Sequence, residues 1–421
     1  MSRIGETLAP ARLGTSFRWL WASSWASNLG DGLAIAGAPL LVASQTHDPF
    51  LVAMGATLGQ LPWLLFGLFA GVVADRVNRR LVVAVADACR AVVLLVLTAT
   101  ILTEQVHIAI VLAAIFLLGT AETFADSAYG TLMPMVVEKR DYGIANARLQ
   151  SGVLVANQMA GPPIGAALFA AGMAFPFVGQ AALITLSALL LFRMKIPALE
   201  RTSEPQHVLA DIREGLQWLW HHAAVRTLTL TIVTFNITFG AAWSVLVLYA
   251  RDRLGLGEVG FGLLTTSMAI GGMVGVLSYG WLERHVSLGN IMRVGLILET
   301  LTHVALAVTT VPAVALVIFF VFGVHAFVWG TTSSSVRQRA VPTELQGRVA
   351  SVYLIGVFGG IVLGGAIGGL VARQWGVTGP FWFAFVGSAL ILAVIWPQLA
   401  HIAHADSERA GTTEDVERAR D

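Results

Sequence analysis

One pattern limits what this chain can fold into. Apolar runs of roughly 20 residues or more, enough for a helix to cross the hydrocarbon of a bilayer, follow one another from Phe17 to Trp396 with short polar breaks. In lipid only helices and closed barrels satisfy their own backbone, and barrel strands are short and alternating. Long continuous runs therefore predict helices. Composition agrees: 56% of the residues are hydrophobic and 12% charged. A soluble domain usually carries about 25% charged residues. The expected fold class is an all-α membrane protein.

Twelve spans can be drawn, at about 17–44, 49–74, 80–102, 106–133, 144–171, 176–193, 226–250, 258–282, 289–309, 312–336, 346–373 and 377–397. Turn residues mark the breaks, as in His47-Asp48-Pro49, Phe175-Pro176, Val311-Pro312 and Gly379-Pro380. With a cytoplasmic N-terminus, Arg76, Arg79, Arg80, Lys139, Arg140, Arg193, Lys195, Arg201, Arg213, Arg284, Arg337, Arg339 and Arg348 fall on the cytoplasmic side. Arg251, Arg253 and Arg373 fall opposite. Lys and Arg concentrate inside, so both termini are expected in the cytoplasm. The first run is too long for a signal-peptide core and is expected to be retained.

The expected organisation is a six-helix bundle over 1–193, a cytoplasmic linker over 194–225, a second bundle over 226–397 and a polar tail over 398–421. Within the linker, Val208, Leu209, Ile212, Leu216 and Leu219 recur at helical spacing, with Asp211, Arg213, Glu214 and Gln217 between them. That is an amphipathic helix for the membrane surface, with Trp218 or Trp220 as its anchor. The two halves echo each other. Asn28 and Gly32 recur 208 residues later as Asn236 and Gly240, and Gly71 recurs 209 later as Gly280. The glycine-rich stretch Gly161–Gly165 has a counterpart in Leu363–Gly369. Duplicated halves with a mid-membrane site between them are a transporter plan.

The loop GVVADRVNRR, Gly71 to Arg80, is the most specific signal. Gly71 is expected to allow close helix approach. Asn78 is expected to take the positive φ of a tight turn, and Asp75 to face a helix N-terminus. This loop resembles the signature between helices two and three of the major facilitator superfamily, with Asn78 where many members have glycine. Further stretches strengthen the resemblance: SNLGDGL from Ser27, VADACRA from Val85, the Ala145-Asn146 pair, DIREGLQWLW from Asp211 and RAVPTELQGRV from Arg339. Together they resemble the exporter branch that contains enterobactin-exporter-like and Tap-like multidrug efflux proteins. The resemblance implies two pseudo-symmetric bundles rocking about a cavity lined by helices 1, 4, 7 and 10. It also implies a conformational latch of Gly71, Asp75, Arg76, Arg80 and Asp126, in which the basic residues pair with Asp126. Gly161, Pro162 and Gly165 resemble the helix-5 motif of drug–proton antiporters, with Ala166 in place of one glycine. Gly and Pro there loosen the helix and let it pack closely on a partner.

Ionisable residues inside membrane helices are costly, so they face protein or water and serve as functional candidates. Asp31, inside SNLGDGL, is the first candidate for proton coupling. Its counterpart in the second half is Phe239, so it does not belong to the repeated scaffold. Glu122 is the second, with Asp126 four residues on. Asn28, Gln60, Asn157, Gln158, Asn236, Trp243, His325 and Trp329 are candidates for the substrate cavity. Glu299 with His303, and Asp87 with Arg90, are expected to be structural pairs, the latter near the cytoplasm. No nucleotide-binding loop, metal-ligand cluster or hydrolytic triad is recognisable, so no enzyme and no cofactor is expected.

The expected function is a monomeric secondary transporter of the bacterial cytoplasmic membrane. It exports hydrophobic or amphipathic small molecules, drugs or siderophore-like compounds, in exchange for protons, by alternating access. No nucleic-acid partner is expected. Two alternatives stay open: flipping of a lysolipid or glycolipid, and uptake of a small nutrient.

Overall fold

The computed structural model describes residues 11–195 and 208–398. The tail beyond 398, linker residues 196–207 and the side chains of Val208 and Leu209 lie outside that description. Twelve apolar helices follow in chain order: α1 Gly14–Gln45, α2 Pro49–Arg76, α3 Arg79–Leu102, α4 Ile108–Tyr129, α5 Lys139–Ala171, α6 Phe175–Phe192, α7 Ala223–Trp243, α8 Glu258–His285, α9 Leu288–Val308, α10 Pro312–Ala340, α11 Gln346–Trp375 and α12 Gly379–Ile395. Eleven of them are long and apolar enough to cross a membrane, and α12 is apolar over 17 residues. The structure is that of an all-α, multi-pass membrane protein.

Local chemistry sets the helix ends. Asp48 Oδ1 accepts from the Phe50 amide at 2.9 Å and Pro49 opens the first turn, which fixes the start of α2. Asn78 does the same for α3, accepting from the Arg80 amide at 3.1 Å. Its φ is −58°, so it acts as a helix cap and not as the positive-φ turn residue its sequence context suggests. Residues 153–160 of α5 wind as a π-helix ahead of Gly161. Pro162 and Pro163 lack amide hydrogens, so the turn before them loses two helical bonds and widens. The seventh helix stops at Trp243, short of the expected residue 250, and Tyr249–Arg253 form a separate wide turn.

The backbone divides into two compact units. One holds α1–α6 with residues 244–269; the other holds the linker helix Val208–His221, α7, residues 270–285 and α9–α12. The sequence had grouped 244–269 with the second half. They cluster with the first because Thr266 Oγ1 donates to the Met159 carbonyl at 3.4 Å, and Gly262 lies against the Pro162 carbonyl and Ala166.

Within the first unit, α1 and α5 touch backbone to backbone. A Cβ on Gly161 would strike Gly32, and one on Gly165 would strike the Leu33 backbone. In the second unit α7 and α11 repeat the contact, with Gly240 on Ile361 and Gly364 on Ile237. The repeat seen in sequence is thus a repeat of small-residue helix contacts. Gly71 is different. A Cβ there would meet nothing within 4 Å, so close approach does not explain it.

The linker helix is docked on protein. Arg348 at the start of α11 pairs with Asp211 and Glu214, both at 2.8 Å, and Gly215 lies on the Arg348 backbone. Leu219 is buried with Val225, Val341 and Val349, and Trp218 packs on that cluster. Trp220 is 57% exposed, which leaves it as the surface-facing tryptophan.

Overpacking a filled contact costs about 1–3 kcal/mol, whereas Gly→Ala at an open helical position stabilises by up to about 1 kcal/mol. Gly165→Leu is expected to lower the thermal midpoint of the detergent-purified protein, and Gly71→Ala to leave it unchanged or raise it. Equal losses for both would contradict these contacts.

Candidate functional site

A polar cluster forms in the first unit from three helices, α1, α3 and α6. Asp31 lies just past the midpoint of α1, and Arg90 lies about 16 Å along α3, at its middle. The Arg90 guanidinium pairs with Asp31 through Nη2 and with Asp87 through Nη1, the latter at 3.4 Å. Gln180 from α6 donates to Asp31 Oδ1 at 3.4 Å, and Ser27 donates to its Oδ2 at 3.4 Å. Arg90 and Asp87 are each 1% exposed at the side chain. The fork of a guanidinium can hold two carboxylates at once, which a lysine cannot match.

Beside this cluster is a cavity of about 430 Å³. Ser24, Ser27, Asn28 and Asp31 line it from α1, Glu122, Asp126 and Tyr129 from α4, and Leu149, Gln150, Val153 and Asn157 from α5. The side chains of Glu122 and Asp126 make no hydrogen bond or ion pair among the described residues. The spacing of four residues puts both on one face of α4. Below them Tyr129 OH and Ser187 Oγ bond at 2.8 Å, and both meet Ser23, which ties α1, α4 and α6 together. Asn28 does not hold Asp31; its Nδ2 donates to the Ser24 carbonyl at 2.8 Å.

Four carboxyl groups, Asp31, Asp87, Glu122 and Asp126, therefore surround one guanidinium. If all were ionised, the group would carry three negative charges beyond its one guanidinium, with Glu122 half-buried and Asp126 exposed on the cavity wall.

The structure redistributes the other candidates. Asp31, Glu122, Asp126, Asn28 and Asn157 come together at this cavity. Gln60 and Gln158 are half-buried and do not line it. Asp87 and Arg90 do pair, at 3.4 Å, but midway along α3, and Arg90 also meets Asp31, which makes it the hub of the cluster. Sequence did offer a signal, since a lone arginine at the midpoint of an apolar span needs a buried acid. Gln180 gave no comparable signal, being one amide among many positions on α6.

In the second unit, His325 and Trp329 are 5% and 6% exposed and pack against Gly295 of α9. They are buried in the interior of that unit. Asn236 faces Gly360 of α11, and Trp243 stacks with Phe239 and Phe322 at 4.5 and 4.7 Å. The latch loop also differs from expectation. Arg80 donates to the carbonyls of Phe192 and Met194 and stacks on the Phe192 ring, so it does not pair with Asp126. Asp75 pairs with Arg79 at 3.6 Å. In the corresponding loop of the second unit Glu283 pairs with Arg339 of α10 at 2.7 Å, although the Asp-Arg order is lost there. Gly161, Pro162 and Gly165 are buried on α5 where it meets α1.

Comparison with known proteins matches residues 5–417 to the family described as transmembrane secretion effector. The multidrug efflux pump Tap of Mycolicibacterium fortuitum is 26% identical over 385 residues, covering 88% of this chain and 90% of Tap. The putative bacilysin exporter BacE of Bacillus amyloliquefaciens is 24% identical over 340 residues, covering 77% and 81%. Among solved structures, a bacterial homologue of the iron transporter ferroportin in its inward-facing state superposes with a TM-score of 0.72 at 15% identity, over 91% of this chain and 98% of that one. The nucleoside transporter NupG gives 0.69 at 13%, over 92% and 99%. These structures share the fold.

Directly coupled residues deviate from additivity by about 0.5–3 kcal/mol. Arg90→Ala is expected to destabilise the protein strongly, and adding Asp31→Asn to recover part of the loss. Thermal midpoints of the two single variants and the double variant check this. Strict additivity would show that the pair is not coupled.

Proposed function

This chain belongs to the transmembrane secretion effector family of the major facilitator superfamily, and from that premise we propose that it exports hydrophobic or amphipathic small molecules, cations foremost, in exchange for protons. It is a membrane transporter of a bacterial family, not an enzyme. The observation that carries the reading is the cavity wall on which Glu122 and Asp126 stand unpartnered beside the Asp31–Arg90 pair.

The physical logic is competition for the same negative charges. With the cavity empty, protons on Glu122 and Asp126 neutralise the wall. A cationic ligand neutralises it as well, so its entry releases protons and its departure requires them back. Asp31 takes part through Arg90: a change of charge on Glu122 alters how tightly the guanidinium is shared between Asp31 and Asp87. That links the occupancy of the cavity to the contacts between α1 and α3. Leu20, Leu149 and Val153 give the cavity apolar wall for the body of an amphipathic cargo. The direction, outward, is supported by relatives named as an efflux pump and an exporter. The membrane is the bacterial cytoplasmic membrane, with both termini inside. The loop from Gly71 to Arg80, with Asp75 and Arg76 exposed, serves as the conformational latch, anchored through Arg80 to the end of α6.

The test is a panel of cationic, neutral and acidic toxic compounds in a strain lacking its own efflux pumps, with and without a protonophore. Expression is expected to raise tolerance several-fold for some lipophilic cations, and the protonophore or Glu122→Gln to remove the gain. Unchanged tolerance for every compound, or protection that survives both treatments, would overturn the reading.

A further inference from the structure

The second unit carries its own buried ionisable group. Glu299 and His303 stand one turn apart on α9, and His325 reaches them from α10, its Nε2 3.9 Å from Glu299 Oε2. His303 is fully buried, His325 is 5% exposed, and the Glu299 side chain is 14% exposed. None of the four imidazole nitrogens has a hydrogen-bond partner. Aromatic rings enclose the group: Trp243 meets His303 edge-on at 6.1 Å and Phe322 meets His325 edge-on at 5.2 Å.

A buried polar group left unpaired costs about 1–3 kcal/mol. Two such histidines in one dry pocket are poor packing material, since leucine or phenylalanine would fill the space without that cost. We propose that Glu299, His325 and His303 form a second proton-binding site, separate from the cavity carboxyls of the first unit.

The charge count supports a proton as the ligand. With Glu299 ionised and both imidazoles neutral the group carries one negative charge, and one added proton makes it neutral. Among the described residues no cationic side chain other than His325 stands within ion-pair distance of Glu299. On α9, Arg293 bonds Asn290 and stacks on Trp396. On α10, Arg337 and Arg339 lie about three and four turns beyond His325. The helices packed on these two add little: α7 has only Arg226, in its first turn, α12 has no ionisable side chain, and α8, which meets α10 at Gly271 and Gly275, carries Glu258 in its first turn and Tyr279, Glu283, Arg284 and His285 toward its end. Among the described residues no three such side chains converge to hold a metal ion. At 3.9 Å the proton passes between Glu299 and His325 by a small rotation or across one bridging water, for which the orphan nitrogens are partners.

The role of this proton in turnover rests on the exchange reading above, whereas its binding does not. The test is infrared difference spectroscopy of the full chain in lipid vesicles, titrated between about pH 5 and pH 8, where imidazole ordinarily changes charge. The expected result is a titrating carboxyl signal that is lost in Glu299→Gln, displaced in His325→Gln, and retained in the Glu122→Gln/Asp126→Asn double variant. His325→Gln keeps the test decisive if Glu299→Gln fails to fold. A titrating signal indifferent to both second-unit variants, or one lost entirely with the first-unit pair, would overturn the proposal. Proton-driven efflux without a Glu299 signal would sink this inference alone, and a Glu299 signal without proton-driven efflux would sink only the exchange reading.

Discussion

A guanidinium at the centre of a membrane helix is the constraint on which the first unit depends. Placing a charge there costs roughly 2.5–3.5 kcal/mol even on lenient insertion scales. Arg90 is tolerated because Asp31 and Asp87 meet it. That requirement fixes the rotation of α1 and α3 about their axes. It brings Gln180 of α6 to the same carboxylate, and it leaves Glu122 and Asp126 as the acids on the cavity wall without a partner. Asp31 is thus held by partners, while the side chains of the α4 acids stand unpaired on the cavity wall among the described residues.

Close backbone contact gives this polar cluster a rigid surround. Gly32 sits next to Asp31 in sequence and presses on Gly161, so the residue that positions the acid's helix and the acid itself are neighbours. The second unit repeats the small-residue contact and omits the acid. Its ionisable residues instead come from α9 and α10. Two halves that share one packing plan thus carry different chemistry at different places.

Much of this was legible in the sequence. The number of spans, the break at Asp48 and Pro49, the repeat of Asn28 and Gly32, and the placing of Asp31, Glu122 and Asp126 inside membrane spans follow from hydropathy and from the price of intramembrane charge. What failed were statements about partners across helices. SNLGDGL, VADACRA, DIREGLQWLW and RAVPTELQGRV stand out individually. That Asp31 meets Arg90, and that Asp211 and Glu214 meet Arg348, depends on how helices rotate against one another, which spacing along one helix does not encode. For the same reason His325 and Trp329 read as cavity residues and proved to be interior ones. Asn78 failed differently: the same side chain serves a positive-φ turn or a helix cap, and only the backbone decides between them.

The central claim is that ligand and protons compete for the carboxyls of one cavity. Adding a transported lipophilic cation to the purified protein in weakly buffered detergent, with a pH indicator, reads this without membranes or gradients. The account predicts proton release on binding, diminished in Glu122→Gln and in Asp126→Asn and absent when both are changed. Saturable binding of the cation with no release of protons at any pH would contradict it.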